Sequence, residues 1–316
     1  MLKQKALLLT QGMHGMISQV EGLAKALGLS FKHEQIQLKK IWNFFPPKLT
    51  PVFEGVLSKK FICDAKVVIS CGRKSVIPSI LLKRRFKKEI FNIHIQDPKV
   101  DPKNFDCIIC PEHDNLIGDN VITTKGAIHY LTTSEIEENI NYLEPNQKDK
   151  KIVTFILGGP SKYYSFNEKH MHQMFAKIKN MFISPKYKLI VIPSYRTPDN
   201  ILKLAFNYFN ESHLVIRKKD KKAYLSSLGL ADIIIVTCDS ISMISEAAIT
   251  GKPIYVAQMN NKRSIHKNIK FYDLFEDLGI IRNLDNKIEH WTYRGLDEVN
   301  RAASLVKIEM KKNGII

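Results

Sequence analysis

The sequence predicts an α/β protein made of two doubly wound domains, each a parallel sheet covered by helices on both faces. Short apolar runs alternate with amphipathic segments along the whole chain, which is typical of strands joined by crossover helices. This alternation stops at a polar stretch, residues 144–151, and then starts again. The chain has 316 residues, enough for two cores of roughly 150 residues each. We expect the two domains to face each other across a central cleft.

The strands are predicted from apolar runs that end in polar or glycine-rich residues. In the first half these runs are Ala6–Thr10, Val67–Ser70, Ile90–Gln96, Cys107–Cys110 and Asn120–Thr124. In the second half they are Ile152–Leu157, Leu189–Pro193, His213–Ile216, Ile233–Thr237 and Pro253–Ala257. Helices are predicted between them, for example over 17–27 and 74–86.

The polar stretch sets the predicted domain boundaries. We expect an N-terminal domain over 1–145, a C-terminal domain over 150–285 and a helical tail over 286–316, with the linker at Glu144–Lys151.

Composition limits the classes of function. The net charge of +17 favours anionic partners, but the cations are mostly lysine, and arginine is the better reader of bases, so nucleic acid is not an expected partner. Five cysteines in apolar contexts are typical of reduced, buried thiols. Cys107 and Cys110 form one CxxC without a second, which leaves a metal or redox role as the weaker interpretation. No apolar run approaches the roughly 20 residues of a membrane span, so we expect a cytoplasmic protein.

The clearest candidate site follows the apolar run Ile233–Thr237. Asp239 or Ser240 can cap a helix there, and a helix N-terminus with its positive dipole suits a phosphate, with Ser242 and Met243 in the first turn. Glu246 lies about two turns into that helix, where a carboxylate can accept both hydroxyls of a ribose. The alternative is a plain capped helix.

Two further strand ends add to this site. Gly158 and Gly159 permit close approach of a ligand, and Ser161 beside them offers a hydroxyl to phosphate. Arg196 and Thr197 follow the next predicted strand, where one arginine beside hydroxyls suits a diphosphate. The alternatives are a simple turn and a helix cap by Thr197.

The N-terminal half places ionisable groups at the ends of two strands. Gln96 and Asp97 follow one strand, and His113 follows the next between Glu112 and Asp114. His113 is either a base tuned by its carboxylates or a structural histidine. The first loop, with Gly12, His14 and Gly15, lacks the GxGxxG spacing of a dinucleotide fold.

These motifs together resemble the mitochondrial-fission (elongated mitochondria) family. The resemblance rests on seven stretches in order: 72–75, 94–98, 111–114, 126–129, 158–162, 196–198 and 239–253. This sequence departs from the family in its first loop, where Gln11 and Gly15-Met16 replace an acidic residue and a Gly-His pair. No acidic catalytic role is therefore expected at position 11.

The resemblance implies a fold of the GT-B glycosyltransferase type, with two Rossmann-like domains. It implies nucleotide-sugar binding by the C-terminal domain and an acceptor side in the N-terminal domain, formed by Gly12, His14, Gly15, Gln19, Arg73 and Gln96. Asp97 and His113 are the expected catalytic groups. Plant members of the family are implicated in recruiting a fission dynamin, so a non-catalytic adaptor at a membrane surface is the alternative function.

No Asp-x-Asp motif occurs, so a metal-independent transfer without a cofactor is expected, the substrate being a nucleotide-diphosphate sugar. The acceptor is expected to be a glycan or lipid-linked group of the cell envelope. The basic run Lys83–Lys88, preceded by Ile80–Leu82, predicts peripheral docking on an anionic inner membrane, the alternative being a solvated helix end.

Overall fold

The structure, a computed structural model, describes residues 5–145, 149–183, 185–261, 266–285 and 287–316. The chain forms two compact units. The first unit contains the described residues up to Tyr130 together with Asp297–Ile316, and the second contains Leu131–Leu296. The α/β class predicted from the sequence is confirmed.

The first unit is a six-stranded parallel sheet in the order β2-β1-β3-β4-β5-β6. Its strands, in chain order, are β1 (Lys5–Thr10), β2 (Ser30–Gln35), β3 (Val67–Cys71), β4 (Phe91–Ile95), β5 (Cys107–Pro111) and β6 (Val121–Thr124). Its helices are α1 (His14–Ala26) and α2 (Val76–Phe86), with a third from the end of the chain. β1 pairs with β3 in a register that sets Ala6 opposite Val67.

The second unit opens with α3 (Thr133–Glu138) and contains a six-stranded parallel sheet in the order β10-β9-β7-β11-β12-β14. Ile235 of β11 lies opposite Phe155 of β7. The strands are β7 (Lys151–Leu157), β8 (Tyr164–Ser165), β9 (Tyr187–Pro193), β10 (Leu214–Val215), β11 (Ile233–Thr237), β12 (Ile254–Ala257), β13 (Asn260–Asn261) and β14 (Ile281–Asn283), of which β8 and β13 form a separate antiparallel pair. The helices after α3 are α4 (Glu168–Met181), α5 (Asp199–Phe209), α6 (Lys221–Leu230), α7 (Ile241–Ala248) and α8 (His266–Asp277).

The C-terminal helix α9 (Glu298–Lys312) packs into the first unit and does not form a separate tail. Val299, Ala302 and Val306 join the core cluster formed by β1, β3 and α1. Lys307 Nζ donates to the carbonyl of Ala26 at 3.0 Å. The apolar stripe of α9 needs a surface to cover, and one face of the first sheet provides it.

The boundary predicted near residue 145 also differs from the structure, because residues 131–145 pack on the second unit. Leu143 N donates to Ser226 Oγ at 3.0 Å, and Tyr142 Oη donates to Asp220 at 2.8 Å. Both partners belong to α6 or its N-cap. The predicted linker, Glu144–Lys151, includes residues 146–148, which lie outside the described residues.

The cores lie on both faces of each sheet. In the first unit, α1 and α9 cover one face, while α2 and the segment between β2 and β3 cover the other. The central strands are buried on both faces, as expected for parallel sheets covered by helices. Cys107 and Cys110 lie in β5, and burial raises the pKa of Cys107 to about 12, which disfavours the thiolate needed for metal or redox chemistry.

Candidate functional site

The candidate site of the second unit lies where its strand order reverses. From β7, the strands β9 and β10 lie toward one edge of the sheet. The later strands β11, β12 and β14 lie on the other side of β7. Ligands of open α/β sheets bind beyond the carboxyl ends of the strands at this reversal. The loops at this point are Gly158-Gly159 after β7 and Cys238–Ser240 after β11.

The two glycines let neighbouring loops meet over the end of β7. A Cβ atom on Gly158 would lie 2.1 Å from Asp239 Oδ1, and one on Gly159 would lie 1.9 Å from the carbonyl oxygen of Arg196. From the sequence, these glycines were expected to permit close approach of a ligand. In the structure, the groups that approach them are Asp239 and Arg196 of the protein itself.

Asp239 is a buried anchor and not a helix cap. Its carboxylate accepts hydrogen bonds from Thr237 Oγ1 at 2.6 Å, Gly159 N at 3.2 Å and Arg196 Nη2 at 2.5 Å. Burial raises the pKa of Asp239, and Arg196 opposes that shift. Because its side chain is fully buried, Asp239 lies behind Arg196 and orients it.

Arg196 is held through both terminal guanidinium nitrogens and is still partly exposed. Besides the pair with Asp239, its Nη1 donates to the carbonyl of Gly159 at 3.2 Å, yet its side chain remains 40% exposed. A guanidinium has five N–H donors in a fork that matches phosphate oxygens. Arg196 therefore has the geometry of a preorganised anion contact.

Thr197 fixes the loop that carries Arg196. Its hydroxyl lies 2.6 Å from the carbonyl oxygen of Leu157 and accepts from Ser194 N at 2.8 Å. Thr197 does not cap α5, whose N-cap is Pro198. The structure thus gives Thr197 a supporting position at the end of β7.

Helix α7 begins beside these loops. Ser240 is its N-cap and accepts from Met243 N at 3.3 Å, while Ser242 and Met243 lie half-buried in its first turn. Ser161 is engaged elsewhere, since its Oγ accepts from Tyr163 N and Tyr164 N in the turn that leads to β8.

Glu246 has a partner that sequence reasoning missed. Tyr224 of α6 donates its hydroxyl to Glu246 Oε2 at 2.9 Å. Burial raises the pKa of Glu246 to about 7, and the Tyr224 hydrogen bond opposes this rise. Tyr224 belongs to none of the motifs in the sequence, and only the fold brings it to Glu246.

The first unit has an equivalent strand-order reversal between β1 and β3, and amides line it. A Cβ on Gly72 would lie 2.6 Å from Met16 Sδ and 2.8 Å from Gln11 Nε2. Gln19 Nε2 donates to the carbonyl of Gly15 at 3.1 Å, and Gln19 Oε1 accepts from Gln96 Nε2 at 3.5 Å. The structure therefore brings together Gln19 and Gln96, which the family resemblance places on one acceptor side.

The remaining acceptor-side residues are peripheral to this amide pair. Arg73 is exposed and donates to the carbonyl of Asn43 at 2.6 Å. His14 begins α1 and contacts the Tyr130 ring edge-on at 6.1 Å. Gly12 has a φ of 83°, which a residue with a side chain rarely adopts.

The two predicted catalytic groups lie at the ends of neighbouring strands, β4 and β5. Asp97 forms an ion pair with Lys99 and accepts from Lys99 N at 2.8 Å. His113 is buried, with Nε2 4.0 Å from Asp114 Oδ1. His94, in β4, lies 2.8 Å from Ser70 Oγ, and burial lowers its pKa to about 3.

The basic run is partly engaged within the protein. Lys83 pairs with Asp106 at 2.6 Å and Arg85 with Glu54 at 2.9 Å, while Ile80 and Leu82 are buried in the core. Arg84, Lys87 and Lys88 are exposed. No helix among the described residues is long and apolar enough to cross a membrane.

Two parallel-sheet units, each with polar loops at its strand-order reversal, define a protein of the GT-B type. Solved structures of that type match nearly the whole chain. MurG of Acinetobacter baumannii superimposes with a TM-score of 0.53 at 10% identity, covering 99% of this chain and 92% of MurG. UDP-GlcNAc 2-epimerase of Neisseria meningitidis, solved with UDP-GlcNAc bound, gives a TM-score of 0.52 at 11% identity, covering 98% and 100%.

The family follows from the sequence match. Residues 14–310 match the model of the family described as mitochondrial fission ELM1, and the chain belongs to that family. The mitochondrial fission protein ELM1 of Arabidopsis thaliana is 24% identical over 278 residues. That match covers 78% of this chain but 64% of the plant protein, so the chain spans less than two thirds of that relative's length.

Proposed function

We propose that the second unit binds a nucleoside-diphosphate sugar and that the chain is a metal-independent glycosyltransferase. The observation that carries this proposal is Arg196, anchored by the buried Asp239 and exposed at the strand-order reversal. The start of α7 lies at the same edge of the sheet. A guanidinium and a helix N-terminus are the groups that stabilise a leaving diphosphate without a metal.

The other residues of this edge take supporting roles in the proposal. Ser240 and Ser242 lie at the start of α7 and would contact the diphosphate, while Glu246 with Tyr224 would bind the ribose hydroxyls. The epimerase of Neisseria meningitidis, whose structure holds UDP-GlcNAc, supports a sugar nucleotide as the ligand class. Gln19 and Gln96 would hold the acceptor, since amides donate to and accept from hydroxyls.

The second candidate is a non-catalytic adaptor on this fold. It is favoured by the state of the two predicted bases, because Asp97 is paired with Lys99 and His113 is buried. A base must reach the proton that it removes. The adaptor retains the fold without needing transfer chemistry.

A thermal-shift screen of nucleoside diphosphates separates the two candidates. A transferase should gain a few kcal/mol of stability at saturating nucleotide. An adaptor should show no change with any nucleotide, and that result would overturn the transferase.

Calorimetry then tests the ribose contact. Glu246→Ala should weaken nucleotide binding by about 1.5–3 kcal/mol, since a hydrogen bond to a charged or strongly polar acceptor is lost. The matched control is Glu211→Ala, which removes an exposed glutamate of the same unit and should leave affinity unchanged. Unchanged affinity in Glu246→Ala would show that the donor assignment is wrong.

A further inference from the structure

The segment of residues 39–53, between β2 and β3, exposes large apolar side chains. We call it the 39–53 loop. Phe44 is 84% exposed, and Ile41 and Leu49 are each 60% exposed. Phe45 and Phe53 are also exposed. Together with Phe44 they are all the exposed phenylalanines in the described part of the chain. Such a cluster on one short segment marks an interaction surface.

The loop is fixed, so this exposure is not the result of a detached segment. Lys39 N donates to the carbonyl of Val56 at 2.9 Å, and Asn43 Nδ2 donates to that of Leu38 at 3.2 Å. Pro47 and Thr50 are buried, and Trp42 packs against the core below. Some apolar residues of the loop therefore face inward while others are held outward.

The charge of the loop is of one sign. Lys39, Lys40 and Lys48 are exposed between the apolar side chains, and no acidic residue occurs from 39 to 53. Aromatic and aliphatic side chains among cations suit the boundary between headgroups and acyl chains of an anionic membrane. A protein partner fits less well, because lysine is depleted in protein interfaces.

The loop lies at the edge of the first unit that the carboxyl ends of its strands form. It follows the carboxyl end of β2, and Asn43 accepts from Arg73, which stands just beyond the carboxyl end of β3. The basic run Lys83–Lys88 lies at the opposite edge, because α2 runs antiparallel to the strands that it connects.

We propose that the 39–53 loop docks the protein on an anionic lipid surface. Ile41, Phe44 and Leu49 enter the interface, and the three lysines contact the headgroups. Docking there places the amide pair Gln19 and Gln96 at the edge of the sheet nearest the lipid. The docking itself requires no nucleotide, so it stands or falls separately from the proposed transferase.

The test is co-sedimentation with phosphatidylcholine vesicles, with and without phosphatidylglycerol, at low and high salt and without nucleotide. The wild-type protein should bind the anionic vesicles at low salt. Lys39→Glu/Lys40→Glu/Lys48→Glu should weaken binding by at least roughly a hundredfold, and Ile41→Ser/Phe44→Ser/Leu49→Ser by roughly tenfold or more. The matched control, Arg84→Glu/Lys87→Glu/Lys88→Glu, makes the same change of net charge and should retain binding within a few-fold.

Two outcomes overturn the proposal. One is a wild-type protein that does not co-sediment with anionic vesicles at low salt. The other is a control variant that loses binding as fully as the loop variant does, which would assign binding to overall charge or to the basic run. A tryptophan at an exposed position of the loop adds a direct probe: in a Trp42→Phe/Trp291→Phe background, the fluorescence of Phe44→Trp should shift to the blue on anionic vesicles, and an unchanged spectrum also counts against docking by this loop.

Discussion

The two units place loops at the same position of the same kind of sheet, yet they fill that position differently. In the second unit, loops after β7, β9 and β11 meet around a buried carboxylate and a guanidinium. In the first unit, loops after β1, β3 and β4 meet around the side chains of Gln11, Met16, Gln19 and Gln96. A buried ion pair forms the centre of one strand-order reversal, and amide side chains line the centre of the other.

The difference shows what each edge can recognise. A guanidinium anchored by a buried acid is already desolvated on one side and oriented, so it suits a diphosphate. Paired amides offer donors and acceptors without charge, which suits hydroxyl groups. The comparison therefore supports donor binding on the second unit and acceptor binding on the first.

The largest expected effect concerns pH, to which the two units should respond in opposite directions. Burial lowers the pKa of His94 to about 3 from 6.5, so its neutral form stabilises the first unit above pH 6.5 and this stability is lost as pH falls toward 3. The loss by about pH 4 should be roughly 3 kcal/mol. Glu246, with its pKa raised to about 7 from 4.5, stabilises the second unit at low pH and loses this contribution as pH rises from 4.5 through 7.

Each unit contains one of the two tryptophans, Trp42 in the first and Trp291 in the second, so single-tryptophan variants report them separately. In urea unfolding measured from pH 4 to 8, Trp42 fluorescence should show that the first unit is less stable in acid. His94→Asn should remove about 3 kcal/mol of the stability loss of the first unit between pH 8 and pH 4. An equally steep slope in the variant would show that other groups cause the acid loss.

The second prediction compares the glycines of the two edges. A Cβ on Gly159 meets the backbone of Arg196 at 1.9 Å, whereas a Cβ on Gly12 meets the flexible end of Gln35 at 2.5 Å. Gly159→Ala should cost about 3 kcal/mol by overpacking, and Gly12→Ala about 1 kcal/mol, mainly from its φ of 83°. Trp291 fluorescence should report the loss of stability in Gly159→Ala, and Trp42 fluorescence the loss in Gly12→Ala. Equal losses would show that the edge at Gly159 is no more rigid than the edge at Gly12.

Most of the sheet could be predicted from the sequence, because buried parallel strands are continuous apolar runs. The run Ile233–Thr237, for example, is confirmed as β11. β2, over Ser30–Gln35, was missed because an edge strand carries polar, exposed side chains. The 39–53 loop takes the place of a crossover helix, and its three prolines, Pro46, Pro47 and Pro51, oppose an α-helix there.

The residues of the candidate site could be singled out from the sequence, but their assembly could not. Asp239 and Arg196 were each singled out by their position after a strand. Their ion pair depends on strand order, since β7 lies between β9 and β11 and ends in glycines over which the two loops meet. Sequence spacing carries no information about that order, which is why Asp239 was expected as a possible helix cap of the candidate site and not as the anchor of Arg196.

The last prediction concerns ligand binding and tests the charged edge directly. Arg196→Ala should weaken binding of a nucleoside diphosphate by about 2 kcal/mol and of the nucleoside by much less, because Arg196 would contact phosphate and not ribose or base. The variant also leaves Asp239 buried without its cation, so a drop in stability alone cannot count as support. Arg196→Ala/Asp239→Asn removes that buried charge and serves as the control: calorimetry should show the same selective loss for the diphosphate in both variants. Equal losses for diphosphate and nucleoside would place Arg196 outside the ligand site and reduce its pair with Asp239 to a structural contact.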